Sequence, residues 1–138
     1  MPLYLLDTDQ ISLYQFGHPK VSARYDSLPK AEIATSVVSY EEQLRGRLAV
    51  IRQADTPEKY EEAYLRLREM QEFFCSINLQ DFDINAARIF LALRKIHKRS
   101  ASMDLRIAAT ALSHDLTLVT RNTQDFISIA NLRLGNWA

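Results

Sequence analysis

Asp7 closes an apolar run of strand length, Leu3 to Leu6, and an acid at that point is costly unless it has a partner or an ion. Three further acids occupy comparable positions. Glu42 lies in the first turn of the helix read after a second strand, and Asp104 lies in the first turn of the Met103–Ser113 helix. Asp125 follows the β-branched strand Leu116–Thr120, with Asn122 between them. Ligand sites in open α/β sheets form beyond the carboxyl ends of the strands, so these acids are candidates for one crevice. Carboxylates brought together repel and cannot all stay ionised without a cation. An all-oxygen set completed by water suits Mg2+ or Mn2+ rather than Zn2+, and no His or Cys cluster argues otherwise. Such an ion can bind a phosphodiester oxygen, activate a water and stabilise the leaving oxygen, which is metal-dependent phosphodiester hydrolysis.

Taken singly, the acids after Asp7 also have structural explanations. Ser39-Tyr40-Glu41-Glu42 reads as a capping box, Asp104 suits the positive end of a helix dipole, and Asp125 can cap a short helix containing Phe126. The joint pattern outweighs its members, because four such acids fall at the same kind of position.

The elements that must position them follow from periodicity and breakers. Leu3–Leu6 reads as a strand, Ile11–Phe16 as a short helix closed by Gly17-His18-Pro19, and Val21–Leu28 as a second helix ended by Pro29. Glu32–Val38 reads as the second strand, and Ser39 opens a helix to about Ala54. Pro57 restarts a helix whose stripe Tyr60, Ala63, Tyr64, Leu67, Met70 and Phe74 is read as core, with Glu–Arg pairs opposite. The stripe's Tyr and Met content also suits a groove for a partner helix. Cys75–Leu79 is a third strand, Asp83 caps a helix to about Lys98, Ser102 caps the Met103–Ser113 helix, and Leu132–Leu134 is a last edge strand. Alternating strands and helices make an α/β fold, one domain over 1–138, with a central parallel sheet of four to five short strands covered by helices on both faces.

Composition bounds the rest. A chain of 138 residues with 47% apolar and 25% charged residues is an ordinary globule, not a disordered, collagenous or membrane-spanning protein. Seventeen basic and seventeen acidic residues cancel, so nucleic-acid binding would need a local patch. Arg94-Lys95-Ile96-His97-Lys98-Arg99 is such a run, with Lys98 and Arg99 as candidate RNA phosphate contacts beside the Asp104 helix; a solvated helix end whose cations favour the dipole explains it somewhat better. The lone Cys75 excludes a disulfide framework and is read as a small core residue in a reducing, cytoplasmic protein. MPLYLLDTD lacks the basic lead-in of a signal peptide. His18, His97 and His114 lie in turns or near helix ends and read as structural or surface residues.

Tyr4-Leu5-Leu6-Asp7-Thr8-Asp9, Ser36-Val37-Val38-Ser39-Tyr40-Glu41-Glu42-Gln43-Leu44-Arg45-Gly46, Met103-Asp104-Leu105-Arg106-Ile107-Ala108-Ala109 and Leu118-Val119-Thr120-Arg121-Asn122-Thr123-Gln124-Asp125-Phe126, in that order, resemble the PIN-domain ribonucleases. Among them the likeness is strongest to the VapC-type toxins of bacterial toxin–antitoxin pairs, and it covers almost the whole chain. The resemblance implies Asp7 and Asp104 as the main metal ligands and Glu42 as the acid that completes the site and orients the attacking water. It implies Asp125 as a fourth acid acting through water and Asn122 as its accessory, while Glu41 points elsewhere. It further implies Mg2+ or Mn2+, an RNA substrate, a homodimer and a VapB-type antitoxin that inserts a segment near the acids. Many relatives carry Gly and Pro or Thr before the third acid and Glu at the fourth, where this chain has Ala101-Ser102 and Asp125.

Two rivals compete. Asp7-Thr8-Asp9 also resembles the opening motif of haloacid-dehalogenase-type phosphatases, whose first Asp is the nucleophile. Those enzymes need a downstream Lys and an acidic pair after Gly, and none of the three glycines here precedes an acid. A receiver domain fares no better, since no Lys follows Leu116–Thr120. The second rival is a non-catalytic fold that binds RNA or a partner, against which the retention of all four carboxylates argues.

Overall fold

The computed structural model describes all 138 residues. Five parallel strands form one sheet in the order β3-β2-β1-β4-β5: β1 Tyr4–Leu6, β2 Ile33–Ser36, β3 Asn78–Gln80, β4 Thr117–Val119 and β5 Leu134–Gly135. Six helices cover it: α1 Thr8–Gln15, α2 Pro19–Ser27, α3 Val37–Gln53, α4 Pro57–Ser76, α5 Ile84–Ile96 and α6 Ser102–Ser113. No helix is long and apolar enough to cross a membrane.

Side chains alternate across a strand, so the two sheet faces have separate cores. Leu5, Ala34 and Leu118, aligned in register, pack under α5 and α6 with Leu93, Leu105, Ala108 and Phe126. Leu6, Ile33 and Val119 face the other way, onto Ile11 of α1, Tyr25 of α2 and Met70 and Phe74 of α4. The chain builds outward from β1 through β2 to β3, then crosses back to β4 on the other side of β1. The direction of winding therefore reverses between β1 and β4, which opens a crevice beyond their carboxyl ends.

Several element boundaries differ from the sequence reading, each for a capping reason. α1 begins at Thr8, not Ile11, because Asp7 is its N-cap: Asp7 Oδ1 accepts from the Gln10 N–H at 2.8 Å. Strand β2 stops at Ser36, whose Oγ accepts from the Ser39 N–H at 3.0 Å, so Val37 and Val38 are helical despite their β-branching. The Ser39–Glu42 capping box does not form, and Glu42 falls in the second turn of α3. Ala101, not Ser102, is the N-cap of α6, and that end has no side-chain cap. Asp125 ends a 3-10 turn, Thr123–Asp125, instead of capping a helix. α4 runs through Cys75 to Ser76, which leaves Cys75 exposed rather than in the core and puts β3 further along. α5 stops at Ile96, with His97 as its C-cap, and β5 lies at Leu134–Gly135.

The α4 stripe divides. Ala63, Met70 and Phe74 are buried, but Tyr60 and Tyr64 are 47% and 56% exposed, so the core reading fails for the two tyrosines. The opposite face carries the expected ion pairs, Arg66 with Glu62 and Arg68 with Glu72. His18 caps α2 through Nδ1, and His114 Nε2 lies 2.9 Å from the Asp81 carbonyl, both structural placements.

Candidate active site at the sheet's switch point

Asp7 leaves the carboxyl end of β1, its backbone N–H bonded to the Val119 carbonyl of β4 at 3.0 Å. Its side chain is therefore drawn into the crevice where the winding reverses, and it is 6% exposed. Burial pushes the Asp7 carboxyl up from 3.8 to about 6. Hydrogen bonds from the Thr120 side chain and the Gln10 N–H pull it back, while the nearby charges of Asp9 and Asp104 raise it further. Asp104, in the first turn of α6, is also raised, first by burial and then by the charges of Glu42 and Asp125. Asp104 is thus the point where the charges meet: Asp7 feels it from β1, and it feels Glu42 from α3 and Asp125 from the turn after β4.

Glu42 is aimed by a partner the sequence reading did not identify. Its Oε1 accepts from the Thr8 hydroxyl, and Thr8 Oγ1 also lies 3.0 Å from the Oγ of the fully buried Ser39. Its neighbour Glu41 turns outward and pairs with Arg45, as its place on the helix predicts. Asn122 N–H donates to Thr120 Oγ1 at 3.0 Å, which folds the chain into the turn carrying Asp125. Asp104 and Asp125 line a cleft of about 420 Å³ with Arg99, Ser100, Ala101, Gln124 and Ser128. Arg99 of the basic run thus borders the acids, whereas Lys98 is exposed and not part of that lining. Arg94 is spent on the Ser100 carbonyl at 2.7 Å.

The four acids share one property. None of them forms an ion pair, although the adjacent acids Glu41 and Asp9 are both matched by arginines. Asp9, the second acid of the phosphatase-like motif, is held by Arg121 at 3.1 Å. As the side chains stand, no three acidic, His or Cys groups converge closely enough to ligate one ion. One oxygen of each of two acids is already engaged within the protein: Asp7 Oδ1 caps α1 and Glu42 Oε1 accepts from Thr8. The set is all oxygen, negatively charged and half-desolvated at Asp104. It therefore fits a hard divalent cation held by one or two carboxylates and water, the way Mg2+ is commonly bound, rather than a closed protein cage.

Thr8, Thr120 and the Asp9–Arg121 pair are the site features that residue-type reasoning passed over. The available signal was a hydroxyl next to each strand's end, Thr8 after Asp7 and Thr120 after Val119.

Residues 4–132 match the PIN domain family. Ribonuclease VapC1 of Haemophilus influenzae is 25% identical over 141 residues, covering 98% of both chains. Among solved structures, FitAcB from Neisseria gonorrhoeae is 31% identical with 97% of both chains covered and a TM-score of 0.73. VapBC2 from Rickettsia felis, bound to a DNA fragment from its promoter, is 26% identical with 99% covered and a TM-score of 0.77. DNA-bound VapBC from Salmonella typhimurium, 23% identical with a TM-score of 0.80, shares the fold.

Proposed function

Since this chain belongs to the PIN-domain family, we propose that it is an endoribonuclease, the toxin of a VapBC-type toxin–antitoxin pair, which hydrolyses RNA phosphodiester bonds with Mg2+ or Mn2+. What supports this reading is that Asp104 feels the charges of Glu42 and Asp125, Asp7 feels that of Asp104, and none of the four acids forms an ion pair. The name of the H. influenzae relative supports ribonuclease activity, and the VapBC complexes support an antitoxin protein as partner. The family likeness extends this to a homodimer.

Asp7 and Asp104 would hold the ion, which would supply Lewis acidity to a phosphodiester oxygen and to the attacking water. Glu42, anchored at Oε1 by Thr8, keeps its second carboxylate oxygen free to orient that water and take a proton from it. Asp125 reaches the same region through water, with Asn122 holding its turn. Arg99 on the cleft wall, with Lys98 beside it, would meet the flanking phosphates.

The test is digestion of RNA by purified protein with added Mg2+ or Mn2+, with and without EDTA, beside a phosphomonoester assay. RNA should be cut only when the ion is present, and Asp104→Asn should abolish cutting while the far-ultraviolet dichroism stays unchanged. Intact RNA alongside phosphomonoester hydrolysis would instead establish the phosphatase. RNA that is bound but never cut would establish the non-catalytic reading.

A further inference from the structure

Arg121 stands two residues beyond the end of β4, next to Thr120, whose side chain hydrogen-bonds Asp7. Its guanidinium pairs with Asp9 through one hydrogen bond, a terminal N–H to Oδ1 at 3.2 Å, while Nε lies 3.1 Å from Oδ2, which has no hydrogen-bond partner. The planar guanidinium fork suits a phosphate as well as a carboxylate, and a single hydrogen bond to Asp9 leaves most of its donors uncommitted to that acid. The side chain is 52% exposed, so the pair is solvent-screened and easily exchanged for another anion. The surroundings make such an exchange useful. A phosphate approaching four unpaired carboxylates is repelled, and Arg121 is the cation tied to the acid whose charge Asp7 feels.

Resting on the ribonuclease reading above, we propose that Arg121 is an RNA-backbone contact on the β4 side of the crevice, kept extended over α1 by Asp9 until a phosphate replaces that carboxylate. Arg99 lies on the cleft wall beside Asp104 and Asp125, so the RNA strand would meet one guanidinium there and a second at Asp9. Asp9 acts as a placeholder that competes with the substrate, and loss of either partner should therefore have unequal consequences.

The experiment measures binding of a fluorescein-labelled single-stranded oligoribonucleotide by anisotropy, in EDTA and across a salt series. The full-length wild type is compared with Arg121→Ala, Arg121→Lys and Asp9→Asn. Arg121→Ala should weaken binding roughly fivefold and lower the magnitude of the salt slope by about 0.7. Arg121→Lys keeps the charge but loses the fork, so it should recover only part of the affinity. Asp9→Asn should bind as tightly as the wild type or tighter. Equal weakening by Arg121→Ala and Asp9→Asn would show that the pair only props the loop. Full recovery by lysine would show a distant field rather than a contact. Either result overturns the proposal, as does an unchanged Arg121→Ala. A wild type that neither binds nor cuts RNA would instead bring down the ribonuclease reading, and this inference with it. A wild type that cuts RNA while Arg121→Ala keeps full affinity removes Arg121 alone.

Discussion

Asp7 serves two demands at once, capping α1 and facing Asp104, and the second makes its charge costly in metal-free protein. Its folded pKa of about 6 lies above the unfolded 3.8, so the native state holds the proton more tightly. The favourable contribution is complete below the unfolded value and is lost as pH rises from about 4 through about 6. Above that, ionised Asp7 opposes folding by on the order of 2–3 kcal/mol before partners relax. Asn is as good an N-cap as Asp. Asp7→Asn should therefore raise the melting temperature of metal-free protein at pH 7.5 by several degrees, with the gain vanishing near pH 4. Thermal scans across that range check it, and equal melting temperatures at pH 7.5 would refute the burial argument. Thr8 makes a separate claim, because its hydroxyl fixes one oxygen of Glu42. Thr8→Val should lower kcat roughly tenfold or more with little change in KM, and Thr8→Ser should retain activity.

At the scale of elements, caps decide where the acids end up. The Ser36 cap starts α3 three residues earlier than Ser39 would, and so moves Glu42 into the second turn, where it reaches Thr8 across from α1. Gly46 lies inside α3 with nothing within 4 Å of where its Cβ would stand. It therefore has no close approach to protect, and it weakens the helix. Gly46→Ala should stabilise the protein by about 0.5–1 kcal/mol without changing RNA cleavage, as measured by urea unfolding and a nuclease assay. A loss of stability would mean that the α3 surface meets something in the folded protein that the isolated chain lacks.

At the scale of the molecule, the charges cancel globally but are unevenly placed. Arginines neutralise the acids next to the crevice and leave those within it unmatched. A divalent ion that binds the folded state there stabilises it by mass action, about 2.7 kcal/mol at a hundredfold excess over Kd. Excess Mg2+ or Mn2+ should thus raise the melting temperature by several degrees, and Asp104→Asn should blunt the rise more than Asp125→Asn, since Asp104 is the shared neighbour. No rise with either ion would count against the acids acting together.

The candidate acids, the alternation of strands and helices and the order of the motifs could all be read from the chain alone. Apolar periodicity and breakers act within about four residues, and strand-end acids stand out against apolar runs. Only the tertiary structure decided what each acid touches. The 3-2-1-4-5 strand order brings Thr8 to Glu42, 34 residues away, and Arg121 to Asp9, 112 residues away. The cap shift from Ser39 to Ser36 is a local choice between two serines three residues apart, whereas the exposed tyrosines of α4 and the exposed Cys75 are matters of tertiary packing. The exposure of those side chains depends on which neighbour the fold supplies, and local spacing carries no record of that neighbour.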